Sequence, residues 1–232
     1  MTVKVWIYES KIFLASLVFF FVLLSSFVSC SLGRDEGTVK IAIPSRSALA
    51  RSRNSAARAV DGEYISIFIV GDYEDKKTVP FIDDETAQTV TFDSIPAGAS
   101  VRVVCTYNLY HSGEGQATNW KLGSIGVSDE IVIVGGEEQS AAVVMKNIEL
   151  YRDANIAKLC YVEDEGGSYI SLPGSCSYEF KFESGGGPFS YATSSAICAL
   201  SEGSTASAFS VTARIFFDGT EVLKLYVPND MG

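Results

Sequence analysis

Thr91–Tyr107, TFDSIPAGASVRVVCTY, is the stretch that decides the fold class. Its second half continues to Leu109 and places Val101, Val103, Cys105 and Tyr107 inward, against Arg102, Thr106 and Asn108 outward. A period of two marks a half-buried strand, because successive side chains leave a pleated backbone on opposite faces. Upstream, Ile95-Pro96-Ala97-Gly98 supplies a turn in which proline fixes φ and glycine is free to take a positive one. Ala87–Asp93, before that turn, predicts the preceding strand.

The same pattern repeats in both directions. Thr38–Ile43 alternates Val39, Ile41 and Ile43 with Lys40 and Ala42, and Pro44 ends it. Ser45–Val60 is rich in Ala, Arg and Ser, has no clean apolar stripe, and predicts a flexible connection open to trypsin-like cleavage. Tyr64–Val70, a turn at GDYEDKK and Thr78–Ile82 follow. Beyond the long loop Tyr110–Trp120 come short strands at Leu122–Val127, Ile131–Val134 and Ala141–Leu150. Short strands at this spacing, punctuated by turns, predict a sandwich.

After a boundary near Tyr151–Ile156 the chain is again β, over 157–162, 168–172, 177–182, 195–200, 208–217 and 221–227. Tyr178, Phe180 and Phe182 alternate with Ser177, Glu179 and Lys181, and Gly185-Gly186-Gly187-Pro188 marks a loop. Asp218-Gly219 between two apolar runs predicts a type I′ hairpin. The second region is small for a sandwich, so it is expected to pack on the first or to need a disulfide.

Charge and hydropathy define the N-terminus. Residues 1–11 carry Lys4 and Lys11, and Ile12–Val28 then runs 17 residues without a charge. That is the layout of a secretory signal, and it falls short of the roughly 20 residues a spanning helix needs. Residues 34–58 hold six basic groups and two acidic ones, a net of +4, whereas 59–232 hold ten basic and 25 acidic, a net of −15. So acidic a body repels phosphate backbones, and no nucleic-acid partner is expected.

Phe27-Val28-Ser29-Cys30 resembles the lipobox of bacterial lipoproteins, of the spirochaete and Bacteroidetes type, with Phe27 where leucine is usual. The resemblance implies cleavage before Cys30, lipid on its thiol, and anchoring in the cell envelope. Ser31 in place of an aspartate favours the outer membrane over the inner. Removing Cys30 from the five cysteines leaves Cys105, Cys160, Cys176 and Cys198, an even set suited to an oxidising compartment. One bridge among Cys160, Cys176 and Cys198 is expected, and Cys105 reads equally as a buried thiol. No CxxC or Cys/His spacing suggests a metal.

The Thr91–Tyr107 turn and strand, followed by Gly123–Ile148, resemble bacterial prealbumin-like and Cna-B-like modules, where F-x-x-I/L-P-x-G precedes a long strand. The resulting expectation is all-β, with two immunoglobulin-like or prealbumin-like β-sandwich modules after a cleaved signal peptide. Residues 1–29 are the signal and 30–37 a tether. Residues 38–150 form a sandwich module containing the 45–60 linker, and 151–232 a second, smaller β-rich module.

Candidate chemistry is sparse. His111 is the sole histidine, which removes most His-based acid–base, nucleophilic and metal schemes. No catalytic residue or cofactor is assigned. Acidic clusters at Asp72/Glu74/Asp75, Asp83/Asp84/Glu85 and Glu163/Asp164/Glu165 read first as solvated turns and second as Ca²⁺ ligands. Tyr107, Tyr110, His111 and Trp120 form the candidate binding site, able to stack on a glycan or anchor a host or envelope protein; alternatively Tyr107 and Trp120 close the core. The expected function is a non-enzymatic binding or structural lipoprotein. The alternatives are a pilin-like subunit assembled by exchange of the Val39–Ile43 strand, as resemblance to Bacteroidetes pilins implies, and an envelope enzyme of unknown substrate.

Overall fold

The computed structural model describes residues 35–43, 64–80, 88–108, 121–153, 159–173, 176–184, 187–199 and 209–228. The strands, numbered along the chain, are β1 (Glu36–Ile43), β2 (Tyr64–Gly71), β3 (Asp75–Pro80), β4 (Gln88–Pro96), β5 (Ser100–Asn108), β6 (Leu122–Val127), β7 (Ile131–Val132) and β8 (Glu138–Ala141). They continue as β9 (Lys146–Asp153), β10 (Leu159–Asp164), β11 (Cys176–Ser184), β12 (Gly187–Thr193), β13 (Ile197–Ala199), β14 (Ser210–Phe217) and β15 (Thr220–Val227). The protein is all-β, as the alternation predicts, and its strands stack as sandwich layers.

β2 explains the layering. Its run YISIFIVG is buried at every position from Ile65 to Val70. A strand buried on both faces reads as a continuous apolar run, because both side-chain rows need cover. Ile65, Ile67 and Ile69 enter one core with Val101, Val103, Cys105 and Tyr107 of β5. Phe68 and Val70 enter another with Val104. The middle sheet that carries them has the order β13-β10-β9-β6-β5-β2-β3, with β7 paired to β5.

One outer sheet, β4-β1-β8, covers the first core through Val39, Ile41, Ile43, Val90, Phe92 and Ile95. The other, β12-β11-β14-β15, covers the second through Phe180, Phe182, Val211, Ile215 and Leu225, among others. Two sandwich interfaces thus share one sheet. The boundary expected at 151 falls inside β9, and β9 and β10 pair in register from Asp153↔Leu159 to Ile148↔Asp164. The two halves of the chain are therefore not separate modules. The C-terminal half extends the middle sheet and then roofs it, gaining the core that its length alone does not supply.

This sharing also corrects the orientation expected for Thr106. It is buried rather than solvent-facing, and its Oγ1 donates to the Val222 carbonyl at 3.0 Å. The register between β14 and β15 shifts after Ile215↔Leu223 to Phe216↔Glu221, leaving Val222 as the extra residue of a β-bulge. Its carbonyl is the acceptor of this tie from the middle sheet. Arg152 makes a second tie, donating to the carbonyls of Phe209 and Pro228.

The turns follow their chemistry. Asp218 (φ 47) and Gly219 (φ 87) both take positive φ, as a type I′ hairpin requires. Gly98 (φ 85) closes the Pro96–Ala99 turn, with the Ala99 amide donating to the Pro96 carbonyl. β3 begins at Asp75, inside the segment expected to be a turn. Expected strand 141–150 is interrupted at 142–145, where the chain passes from an outer sheet (β8) to the middle one (β9). β12 occupies Gly187–Thr193, part of which was expected to be loop. Of the expected strand 168–172, only an isolated bridge at Tyr169 forms.

Candidate functional site

Tyr107 does not face solvent. It lies in the core between the middle and three-stranded sheets, 5% exposed, and so closes that core. Tyr110, His111 and Trp120 lie outside the described residues, as do Cys30 and its flanking Phe27, Val28 and Ser29. Asp83–Glu85 do too. Asp72 and Asp75 serve local structure, accepting from the backbone amides of Ser100 and Lys76 respectively. Among the described residues no group of three or more His, Cys, Asp or Glu side chains is placed to hold a metal ion.

Among the described residues, the outer sheets leave part of the middle sheet uncovered. The three-stranded sheet covers β2 and β5, and Val143 and Met145 pack along its border. On β9 and β10, alternation sends Ile148, Leu150, Cys160 and Val162 toward the four-stranded sheet. The intervening Glu149, Tyr151, Tyr161 and Glu163 therefore face the other way. Tyr151 and Tyr161 are register partners, and their rings stack at 5.4 Å with 20° between planes. Tyr169, brought in by its bridge to Glu163, meets Tyr161 edge-on at 5.5 Å. Tyr151 is 36% exposed and Tyr169 52%.

Beside the tyrosines runs a groove of about 300 Å³ lined by Leu122, Asn147, Tyr151 and four carboxylates, Glu149, Glu163, Asp164 and Glu165. Lys121 pairs with Glu149. Asp164 is committed to its own turn, accepting from the amides of Gly166 and Ser168. Asn147 accepts from Ser124 Oγ at 2.7 Å and donates toward Glu165 at 3.4 Å. The Tyr151 hydroxyl donates to Glu149. Its pKa is pushed up to about 12 by partial burial, then by that hydrogen bond and the charges of Glu149 and Glu163. The groove is thus an aromatic wall in a negative field. A larger depression of about 620 Å³ at the start of β1 carries five carboxylates (Asp35, Glu36, Asp93, Glu137 and Glu138) and no aromatic ring.

Comparison with family models, with curated proteins and with solved structures finds no match to this chain. The site therefore rests on its own geometry.

The remaining cysteines divide between the two cores. Cys105 lies in the first, its thiol raised to about 12 by burial. Cys160 and Cys198 lie in the second, and Cys176 packs against it. Of the tyrosine face, sequence reasoning singled out only Glu163–Glu165. Tyr151 fell at the expected boundary, and Tyr161 and Glu163 sit on the face of β10 opposite Cys160 and Val162. That alternation was the signal available, but nothing in the sequence says which face a second sheet covers.

Proposed function

We propose that this chain is a non-enzymatic lipoprotein of the cell envelope, anchored through Cys30, that binds a protein partner through the tyrosine-and-carboxylate face of β9 and β10. The observation that carries the reading is the stacked Tyr151–Tyr161 pair beside a groove with four carboxylates. Aromatic rings attract ammonium and guanidinium groups, and carboxylates pair with them, so a segment presenting Lys or Arg side chains suits both features. The anchor is supported by the apolar run and the Phe27–Cys30 motif. The net-positive stretch of 34–58 would let an acidic body stand off an anionic membrane.

The test uses the full chain in detergent against a Lys/Arg-containing peptide library and a glycan array. The expected result is salt-sensitive binding of basic peptides, weakened about tenfold by Tyr161→Ala and reduced by Glu163→Gln. Binding of glycans alone would move the partner class, and no binding of either would remove the site.

A second reading is a subunit assembled by strand exchange, and one feature favours it. β1 is the centre strand of its sheet, antiparallel to β4 and parallel to β8, with Val39 and Ile41 fully buried. It joins β2 through the segment containing Arg46, Arg51, Arg53 and Arg58. Trypsin nicking followed by sizing distinguishes the two. Released β1 with new oligomers supports exchange, whereas a nicked monomer that retains β1 excludes it.

A further inference from the structure

The four cysteines behind Cys30 form an even set, yet the fold does not allow them two bridges. Every complete pairing of four needs Cys105 bonded to another of the set. Cys105 belongs to the core under the three-stranded sheet, while Cys160, Cys176 and Cys198 belong to the core on the opposite face of the middle sheet. A sheet's backbone lies between them.

Among the other three the strand register chooses. Cys160 of β10 and Cys198 of β13 are direct cross-strand partners. The Val162 amide donates to the Ala196 carbonyl at 2.9 Å, two residues along both strands, so Cys160 and Cys198 occupy the same, hydrogen-bonded class of antiparallel pair. Cα atoms in such pairs stand about 5.5 Å apart, within the roughly 4.4–6.8 Å a disulfide spans, and the Cβ atoms, up to about 5.5 Å apart, close to about 4 Å as the bond forms. Both side chains point into one core; in the structure both are thiols, and the Cys160 Sγ–H donates to the Cys198 carbonyl oxygen at 3.8 Å. Cys176 sits in the facing sheet as partner of Phe217. Cys160 and Cys198, by contrast, oppose each other within one sheet.

We propose that the mature protein carries one disulfide, Cys160–Cys198, with Cys105 and Cys176 remaining thiols. The bridge joins the short edge strand β13 to β10, next to the tyrosine face, and encloses β11 and β12 in the resulting loop. With glutathione disulfide as the two-electron acceptor, its S–S bond breaks and the Cys160–Cys198 bond forms. The two protein thiol protons end on two glutathione molecules. Cys160 is fully buried and Cys198 only 8% exposed. Burial raises both thiol pKa values and so suppresses the thiolate that reacts. The bond therefore forms during folding and, once made, is shielded from reductant.

The test refolds reduced, denatured full chain in a glutathione redox buffer, alkylates free thiols, and maps peptides without reduction. The expected product is a single linked peptide pair joining Cys160 and Cys198, with Cys105 and Cys176 alkylated after denaturation. Cys176→Ser, which leaves the opposed pair intact, keeps the link. A bridge through Cys176 or Cys105, or a refolded protein with Cys160 and Cys198 both alkylated, overturns the assignment.

Discussion

Thr106→Val separates a solvent-facing Thr106 from one clamped between sheets. Valine matches threonine in shape, so the change opens no cavity and removes only the hydroxyl that donates to Val222 at 3.0 Å. Thr106 is 1% exposed, and the carbonyl it meets belongs to Val222, a buried bulge residue. A buried acceptor stripped of its donor costs about 1–3 kcal/mol. For a chain of this size that lowers Tm by roughly 2–12 °C. Thr106→Ser keeps the hydroxyl, loses one methyl, and should cost about 1 kcal/mol. The assay is urea and thermal unfolding by circular dichroism, with hydrogen exchange on β15 as the local readout. A Thr106→Val protein within about 0.5 kcal/mol of wild type, as expected for a surface site, would refute the clamp.

Other consequences concern the two cores and the strained turns. Phe180→Ala should cost about 3–5 kcal/mol. Because the middle sheet serves both interfaces, unfolding should stay a single transition, with β1 and β4 losing exchange protection together with β11. Ser94, on the irregular stretch of β4 opposite Thr38, holds φ 60 without being glycine. Ser94→Gly should therefore stabilise by roughly 0.5–1 kcal/mol in denaturant titration, since a left-handed non-glycine residue costs about 1–2. Stability should fall between pH 9 and 12, since burial raises Cys105 from 9.0 to about 12 and Cys176 to about 11. Over that window the unfolded thiols ionise while the folded ones keep their protons, so the unfolded state gains. Cys105→Ala should flatten the decline in a pH series of urea midpoints.

Much of this architecture is written in the strands themselves. The unbroken apolar run Ile65–Val70 contains the two-faced middle layer, and Asp218-Gly219 contains the closing hairpin. What stayed hidden is what covers what. Lys76 and Lys77 look like turn residues, but their ammonium groups lie 4.9 and 4.8 Å from the rings of Phe68 and Phe92, on the two faces of β3. Lysine stems cover apolar surface while their charges guard an edge strand, so composition hides the strand. Thr106 looked solvent-facing because period-two patterning shows two faces and not whether a distant sheet roofs the second. The tyrosine face was missed for the converse reason. Tyr151 and Tyr161 have the spacing of core residues, but among the described residues the β4-β1-β8 sheet shares its core with β2 and β5 and not with them.

The envelope anchor is the claim on which the proposed role depends, and metabolic labelling with a clickable fatty acid tests it most directly. Wild-type protein and Cys30→Ser are expressed in a bacterium that processes lipoproteins, and incorporated label is read on the isolated chain. The account predicts label on wild type and none on Cys30→Ser, with the variant retained as uncleaved precursor. Equal labelling of the two, or label on neither, would contradict it.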